Sequence, residues 1–206
     1  MKEEKKRSIL KEILDWVLLI LIAILITSIV HSQLFALTEV NMQSMMDTLE
    51  PTDRLVMSKL AYASSEPQRG DIIIFLNSEP VNGIFGRFSI YFSDISLKFK
   101  KDYRNNRLIK RVIAIPGDTV EIIDNVLYVN DIAQEEPYAR IDPDENIVVN
   151  GQMDKITIPP GKLFVLGDNR RWSIDSRNYG VIDRSWVEGK AVFRIAPFSK
   201  FGKIND

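Results

Sequence analysis

Ser44 stands in the stretch VNMQSMMDTLEP (residues 40–51), flanked by Met42, Met45 and Met46 and followed three positions later by Asp47. A serine there is either an ordinary turn residue or a nucleophile, and a hydroxyl attacks well only when a neighbouring base accepts its proton. The choice of base is narrow. The 206-residue chain has no cysteine and one histidine, His31, which lies inside a long apolar run. Thiolate chemistry, disulfide scaffolds and cysteine-ligated zinc are excluded, and a His-rich metal site is nearly so. A Ser-His-Asp triad would have to take its imidazole from the apolar run. Hydroxyl chemistry in this chain therefore needs a lysine or a carboxylate.

Most lysines lie in polar stretches and read as solvated ammoniums, but Lys110 enters the run LIKRVIAIPGD. In a strand of alternating pattern it shares a face with Val112 and Ala114, and Ile109, Arg111 and Ile113 take the other. Desolvation disfavours an ammonium and moves a lysine pKa toward the neutral range that a general base requires. The same residue also reads as a strand-end lysine whose head snorkels to water. A second polar cluster, GDNRRWSIDSR (167–177), packs Asp168, Asn169, Arg170, Arg171, Ser173, Asp175, Ser176 and Arg177 into eleven residues. It reads as a site-bearing loop or as a structural loop tied by Asp–Arg pairs. DPDENIVVNGQM (142–153) opens with the D-x-D-x-N spacing of a calcium loop. Ile147 stands where that loop needs glycine and Met153 where it needs an acid, so no metal is expected.

These residues need elements to hold them. WVLLILIAILITSIV (16–30) carries no charge, and the uncharged stretch runs on to Glu39. Trp16–Leu37 is long enough to cross a bilayer core at 1.5 Å per residue. Lys2, Lys5, Lys6, Arg7 and Lys11 precede it, and the next basic residue is Arg54. The positive-inside rule then places the N-terminus in the cytoplasm and the rest outside. A cleaved signal peptide would have a shorter apolar core and an A-x-A-like site, and a buried core helix would keep a polar face. The expected organisation is a cytoplasmic N-terminus (1–14), a retained single-pass anchor (15–37) and an extracytoplasmic domain (38–206).

Within that domain, short runs rich in Val, Ile, Leu and Phe (54–60, 71–75, 108–115, 119–123, 126–130, 155–158, 162–167, 190–195) alternate with turn signals. Asp124-Asn125 reads as a tight hairpin, and Pro116-Gly117 and Pro160-Gly161 as turns. The pattern predicts a mostly antiparallel β fold, sandwich or barrel-like, with no long amphipathic helix among the strands. Residues 77–107 depart from it, with Ile84, Phe85, Phe88, Ile90, Tyr91 and Phe92 followed by Lys98, Lys100, Lys101, Arg104 and Arg107. They read as an insert packed on the β domain, or as an aromatic and basic surface resting on anionic lipid. A net charge of -1 gives no electrostatic reason to expect nucleic acid.

Taken in order, four segments resemble the type I signal peptidases, membrane-anchored serine–lysine proteases. SMMDTL (44–49) is similar to the family's S-M-x-P-T-L box and RGDIIIF (69–75) to its R-G-D strand. KRVIAIPGD (110–118) is similar to its lysine box and GDNRRWSIDSR (167–177) to its G-D-N-x-x-x-S-x-D-S-R box. The resemblance implies that Ser44 attacks the scissile carbonyl, with its backbone N–H in the oxyanion hole, while neutral Lys110 takes the proton. It implies that Ser173 orients Lys110 and that Asp175 and Arg177 brace the site as a structural pair. It implies no cofactor or metal. The substrates would be signal peptides of exported preproteins with small residues at -1 and -3, read by walls from 40–46 and 108–114.

This chain departs from the family pattern at Met42, where a glycine or a second oxyanion donor is usual, at Asp47 in place of proline, and at Ala114 in place of glycine. A carboxylate at 47 close to Lys110 would favour the ammonium and oppose base catalysis. These departures and the insert suggest a specialised member acting on pilus or surface-protein subunits. The alternative is a non-catalytic or weakly active assembly chaperone for such subunits. Self-cleaving repressors with a serine–lysine dyad are set aside, because they carry a DNA-binding helical domain where this chain has an apolar anchor.

Overall fold

The computed structural model describes residues 2–81, 83–100, 102, 104–140 and 151–204. Its first element is a single helix, α1 (Lys2–Ile29), whose apolar side chains from Ile9 onward stand exposed on every face. The segment Ile9–Leu34 is long and apolar enough to cross a membrane. Here the expected anchor ends early. A wide helical turn (Val30–Leu34) closes the helix, and Phe35–Glu39 form strand β1, paired with β2 (Arg54–Ser58) in the register Phe35↔Ser58 to Glu39↔Arg54. Residues 35–37 therefore belong to the sheet rather than to the apolar helix.

The remaining strands are β3 (Ile72–Leu76), β4 (Arg107–Ala114), β5 (Thr119–Ile123), β6 (Val126–Val129), β7 (Ile132–Ala133), β8 (Met153–Thr157), β9 (Lys162–Leu166), β10 (Ile182–Asp183), β11 (Val187–Ala196) and β12 (Gly202–Lys203). Among the described residues they make two antiparallel sheets. The larger runs β1-β2-β11-β3-β4-β9-β10, with β12 added beside β11, and the smaller runs β7-β6-β5-β8. This is the mostly β, antiparallel fold that the sequence pattern predicts.

The unbroken apolar run IIIFL of β3 follows from burial on both sides. Ile72 and Ile74 pack with Val40, Met45, Leu49 and Leu55, and Ile73 and Phe75 pack with Val112, Val165 and Ile182. The small sheet closes a third core, in which Val120, Ile122, Leu127 and Val129 meet Ile113, Phe164 and Leu166. Its β5–β6 hairpin turns on Asp124 (φ 49°) and Asn125 (φ 68°), the left-handed pair that a two-residue turn of matching twist requires. A long amphipathic helix does stand among the strands, against the expectation, because residues 83–99 carry their apolar side chains at helical spacing inside the insert. They form helix α2 (Gly83–Phe99), and the chain's short third helix, α3 (Ser176–Tyr179), follows β9.

Candidate active site

Ser44 lies on a 3-10 turn (Gln43–Met45) inside a loop that leaves β1 and returns to β2. Backbone bonds from Val40 N–H to Asp53 O and from Thr52 N–H to Val40 O close the neck of this loop. Met45 and Leu49 sink into the core beneath it, so the turn is fixed from below. Ser44 itself is buried.

Lys110 sits in β4 opposite Ile73 of β3 and is 2% exposed. Alternation holds around it: Ile109 packs into one core and Val112 into the other, until a bulge between Val112 and Ala114 interrupts the register. Burial is the main influence on its amine and pulls the pKa down to about 8. Arg177 pushes in the same direction, against the upward pull of the Asp175 and Asp168 carboxylates.

The loop 167–177 acts on both residues. Asn169 donates its backbone N–H to the Ser44 carbonyl (3.0 Å) and its Nδ2 to the Gln43 carbonyl (2.9 Å). Asp168 accepts from Thr48 Oγ1 (2.6 Å) and, bidentately, from Arg111 Nε (2.9 Å) and Nη2 (2.8 Å), with its side chain and that of Arg111 both 1% exposed. One buried carboxylate thus ties the serine loop to the strand that carries Lys110. Asp175 caps α3, accepts the Gly167 N–H (3.0 Å) and holds Arg177 through Nε and Nη2 (2.8 Å each). Burial is the largest single influence and would raise its pKa, but the Arg177 guanidinium together with further hydrogen bonds, the Gly167 N–H among them, holds the carboxyl below its usual range. Arg177 also donates to the Arg170 carbonyl (2.8 Å), so the pair staples the loop to itself.

Gly167 is required by space. A Cβ there would lie 2.3 Å from Ser173 Oγ and 2.4 Å from the Ser44 carbonyl oxygen. Ser173, Ser44 and the loop backbone therefore converge at this residue. Gly167→Ala is expected to displace the Ser44 turn, lowering any catalysis that depends on Ser44 by about a hundredfold and stability by about 1–3 kcal/mol. Kinetics and thermal unfolding of the purified variant would check both, and wild-type kinetics would contradict this packing.

Asp47 does not oppose Lys110. Its backbone is left-handed (φ 77°), a conformation that proline's ring forbids and aspartate tolerates. Its exposed carboxylate faces Arg140 (3.5 Å), and the carboxylates that act on Lys110 are Asp175 and Asp168. Met42 is extended and half exposed. It lines a groove of about 190 Å³ that includes Ser44, together with Leu37, Val40, Leu97 and Ile109.

Residues 136–140 were not expected near this loop, yet they back it. Glu136 pairs with the buried Arg170 (Nη1 to Oε2, 2.7 Å), the Tyr138 ring lies 4.0 Å from the Arg111 guanidinium carbon, and Arg140 N–H donates to the Asp168 carbonyl (2.7 Å). Counting charges within the box does not reveal this, since Arg171 is exposed; Arg170 needs Glu136 because Asp168 is taken by Arg111 from another strand. The D-x-D-x-N run at 142–150 lies outside the described residues. No cluster that could hold a metal occurs among the described ones.

Comparison with known proteins adds an independent finding. A family model described as signal peptidase, peptidase S26, matches residues 13–196. The chain is 33% identical over 210 residues to signal peptidase I of Bacillus licheniformis, covering 100% of both chains. It is 31% identical over 208 residues to signal peptidase IB of Staphylococcus aureus, covering 93% of each. A crystal structure of a signal peptidase I from Enterococcus faecalis aligns at 31% identity and a TM-score of 0.42, over 61% of this chain and 97% of that one.

Proposed function

This chain belongs to the signal peptidase family, peptidase S26, and on that premise we propose that it is a membrane-bound serine endopeptidase that removes signal peptides from exported proteins. Ser44 is the nucleophile and Lys110 the general base. The observation that carries this reading is that one loop, 167–177, both holds the Ser44 carbonyl and brings its charges to Lys110, whose burial lowers its pKa to about 8. A lysine so placed is neutral in a useful fraction of molecules near physiological pH.

In the proposed reaction, Lys110 Nζ accepts the Ser44 hydroxyl proton as Oγ bonds to the scissile carbonyl carbon. The resulting oxyanion is met by the Ser44 backbone N–H. Collapse of the tetrahedral intermediate breaks the peptide C–N bond, and Lys110 returns its proton to the departing amine. Water, deprotonated by the same lysine, then hydrolyses the acyl-enzyme. Ser173 orients the lysine, and Asp175 with Arg177 holds the loop in register without taking a proton. The groove beside Met42 and Ile109 receives the substrate's residues before the cleaved bond, with small side chains at -1 and -3.

Residues 1–14 face the cytoplasm, α1 spans the cell membrane, and the β domain works on the outer face, as the basic residues before the helix favour. The non-catalytic alternative drew on Met42 and Asp47; Asp47 is turned to solvent, and Met42 only lines the groove. The test is cleavage of a purified preprotein by the full chain in detergent. Ser44→Ala is expected to lose at least about a thousandfold in rate, and equal cleavage by variant and wild type would sink the reading.

A further inference from the structure

Helix α2 is amphipathic in the opposite sense from a helix packed on a water-soluble domain. Among its residues only Ile90 is buried. Its side toward the domain carries charge instead: Asp94 accepts from Arg104 (3.0 Å) and Arg107 (2.7 Å), and Arg107 reaches the buried Glu188 of β11 (2.6 Å). With 3.6 residues per turn, Ile84, Phe88, Phe92, Ile95 and Phe99 fall within an arc of about 80°, roughly opposite Ile90. Phe85 borders this arc. Ile84, Phe85, Phe92 and Phe99 are 63%, 89%, 54% and 86% exposed.

The stripe starts where the spanning helix ends. Gln33, in the turn that closes α1, donates to the Ile84 carbonyl (3.2 Å), and the His31 and Tyr91 rings stack at 6.0 Å. Apolar residues run from the first turn of α2 to its last, so the whole helix, rather than one end, meets an apolar medium. Lys100 stands exposed just past its far end, suited to an anionic headgroup.

We infer that α2 is an interfacial helix, lying in the plane of the bilayer that α1 spans, with its phenylalanine stripe among the acyl chains. Its other side, through Asp94, Leu97 and Lys98, walls the groove that contains Ser44. The groove is thereby held at the membrane surface, where a signal peptide leaves the lipid. A lipid surface suits the stripe better than a second copy of the chain, because the contacts with the end of α1 fix the stripe at bilayer level. The inference rests on α1 being a membrane span and is independent of the catalytic assignment.

A chain without cysteine accepts single-site probes directly. The full chain, reconstituted in vesicles of phosphatidylcholine and phosphatidylglycerol, would carry an environment-sensitive fluorophore at Phe85→Cys, Phe92→Cys or Ser93→Cys, with Trp16→Cys in α1 as the lipid reference. Positions 85 and 92 are expected to be blue-shifted and quenched by brominated lipid several-fold more than position 93. Quenching at 16 without quenching at 85 and 92 would overturn the inference, as would quenching at 85 and 92 that depends on protein density rather than on the lipid. No quenching at 16 would remove the span itself and the inference with it. Phe85→Glu/Phe92→Glu is expected to cleave a soluble peptide in detergent at the wild-type rate and a bilayer-inserted preprotein roughly tenfold more slowly, a loss equivalent to about 1.4 kcal/mol.

Discussion

Replacing Lys110 with methionine is expected to abolish cleavage and, at neutral pH, to make the protein more stable. The activity follows from the proposed role: methionine fills a similar volume and cannot accept a proton. The stability follows from linkage. The amine has a pKa near 10.5 in the unfolded chain and about 8 in the fold. Below pH 8 it is protonated in both states, and the fold bears the full cost of holding an ammonium out of water. A difference of about 2.5 pK units amounts to roughly 3 kcal/mol. As pH rises from 8 to 10.5 the folded state has released its proton while the unfolded state still holds one, so this cost fades and is gone above 10.5. Lys110→Met should therefore exceed the wild type by a few kcal/mol at pH 7 and converge with it near pH 10.5. Denaturant midpoints at the two pH values measure the difference. The wild-type rate should show the matching limb, with kcat/KM rising about tenfold per pH unit below 8 and levelling above it. An equal stability gap at both pH values would mean that Lys110 is not a buried titrating amine.

The parts of this architecture that were legible in the sequence are those decided locally. Turns at Asp124-Asn125, Gly117 and Gly161 show because they need left-handed backbone, and strands such as Ile72–Leu76 show because burial on both faces leaves an unbroken apolar run. Four features were not legible, because a distant partner or a backbone conformation that spacing does not show decides them. Phe35–Leu37 reads as the end of an apolar span, and only pairing with Arg54–Ser58 makes it a strand. The orientation of α2 cannot be read from its periodicity, which gives a stripe but not the side that faces the domain; that is decided by Asp94, through Arg104 and Arg107. Asp47 looks threatening from spacing alone, and a single left-handed φ turns it to solvent. Ser44, Lys110, Ser173, Asp175 and Arg177 stood out as motif residues, but the loop's dependence on Glu136 and Tyr138 did not, since neither belongs to a motif.

Asp168→Asn is expected to be the most damaging single substitution in the structure outside the proposed dyad. Asp168 meets three donors at once, two from Arg111 and one from Thr48, and is fully buried from bulk solvent. An amide keeps one acceptor oxygen and turns an N–H₂ group toward a guanidinium that remains charged and buried. Breaking a buried pair from one side costs about 3–5 kcal/mol, because the stranded charge has lost its counterion. Such a loss is a large part of the total stability of a domain of this kind. Arg111→Met should be destabilising for the mirror reason, since it strands the carboxylate. The double variant Asp168→Asn/Arg111→Met removes both charges, so the two effects should fall short of additivity by about 2–3 kcal/mol. Stability regained in this way should not restore activity, since the link between Thr48 in the serine loop and Arg111 in the lysine strand is gone. The pH profile supplies a reading that general unfolding would not. Asp168 raises the Lys110 pKa, so whatever activity Asp168→Asn retains should have its rising limb at lower pH than the wild type. Additive losses together with an unmoved limb would mean that Asp168 is one more buried polar group, and that the serine loop is positioned by something else.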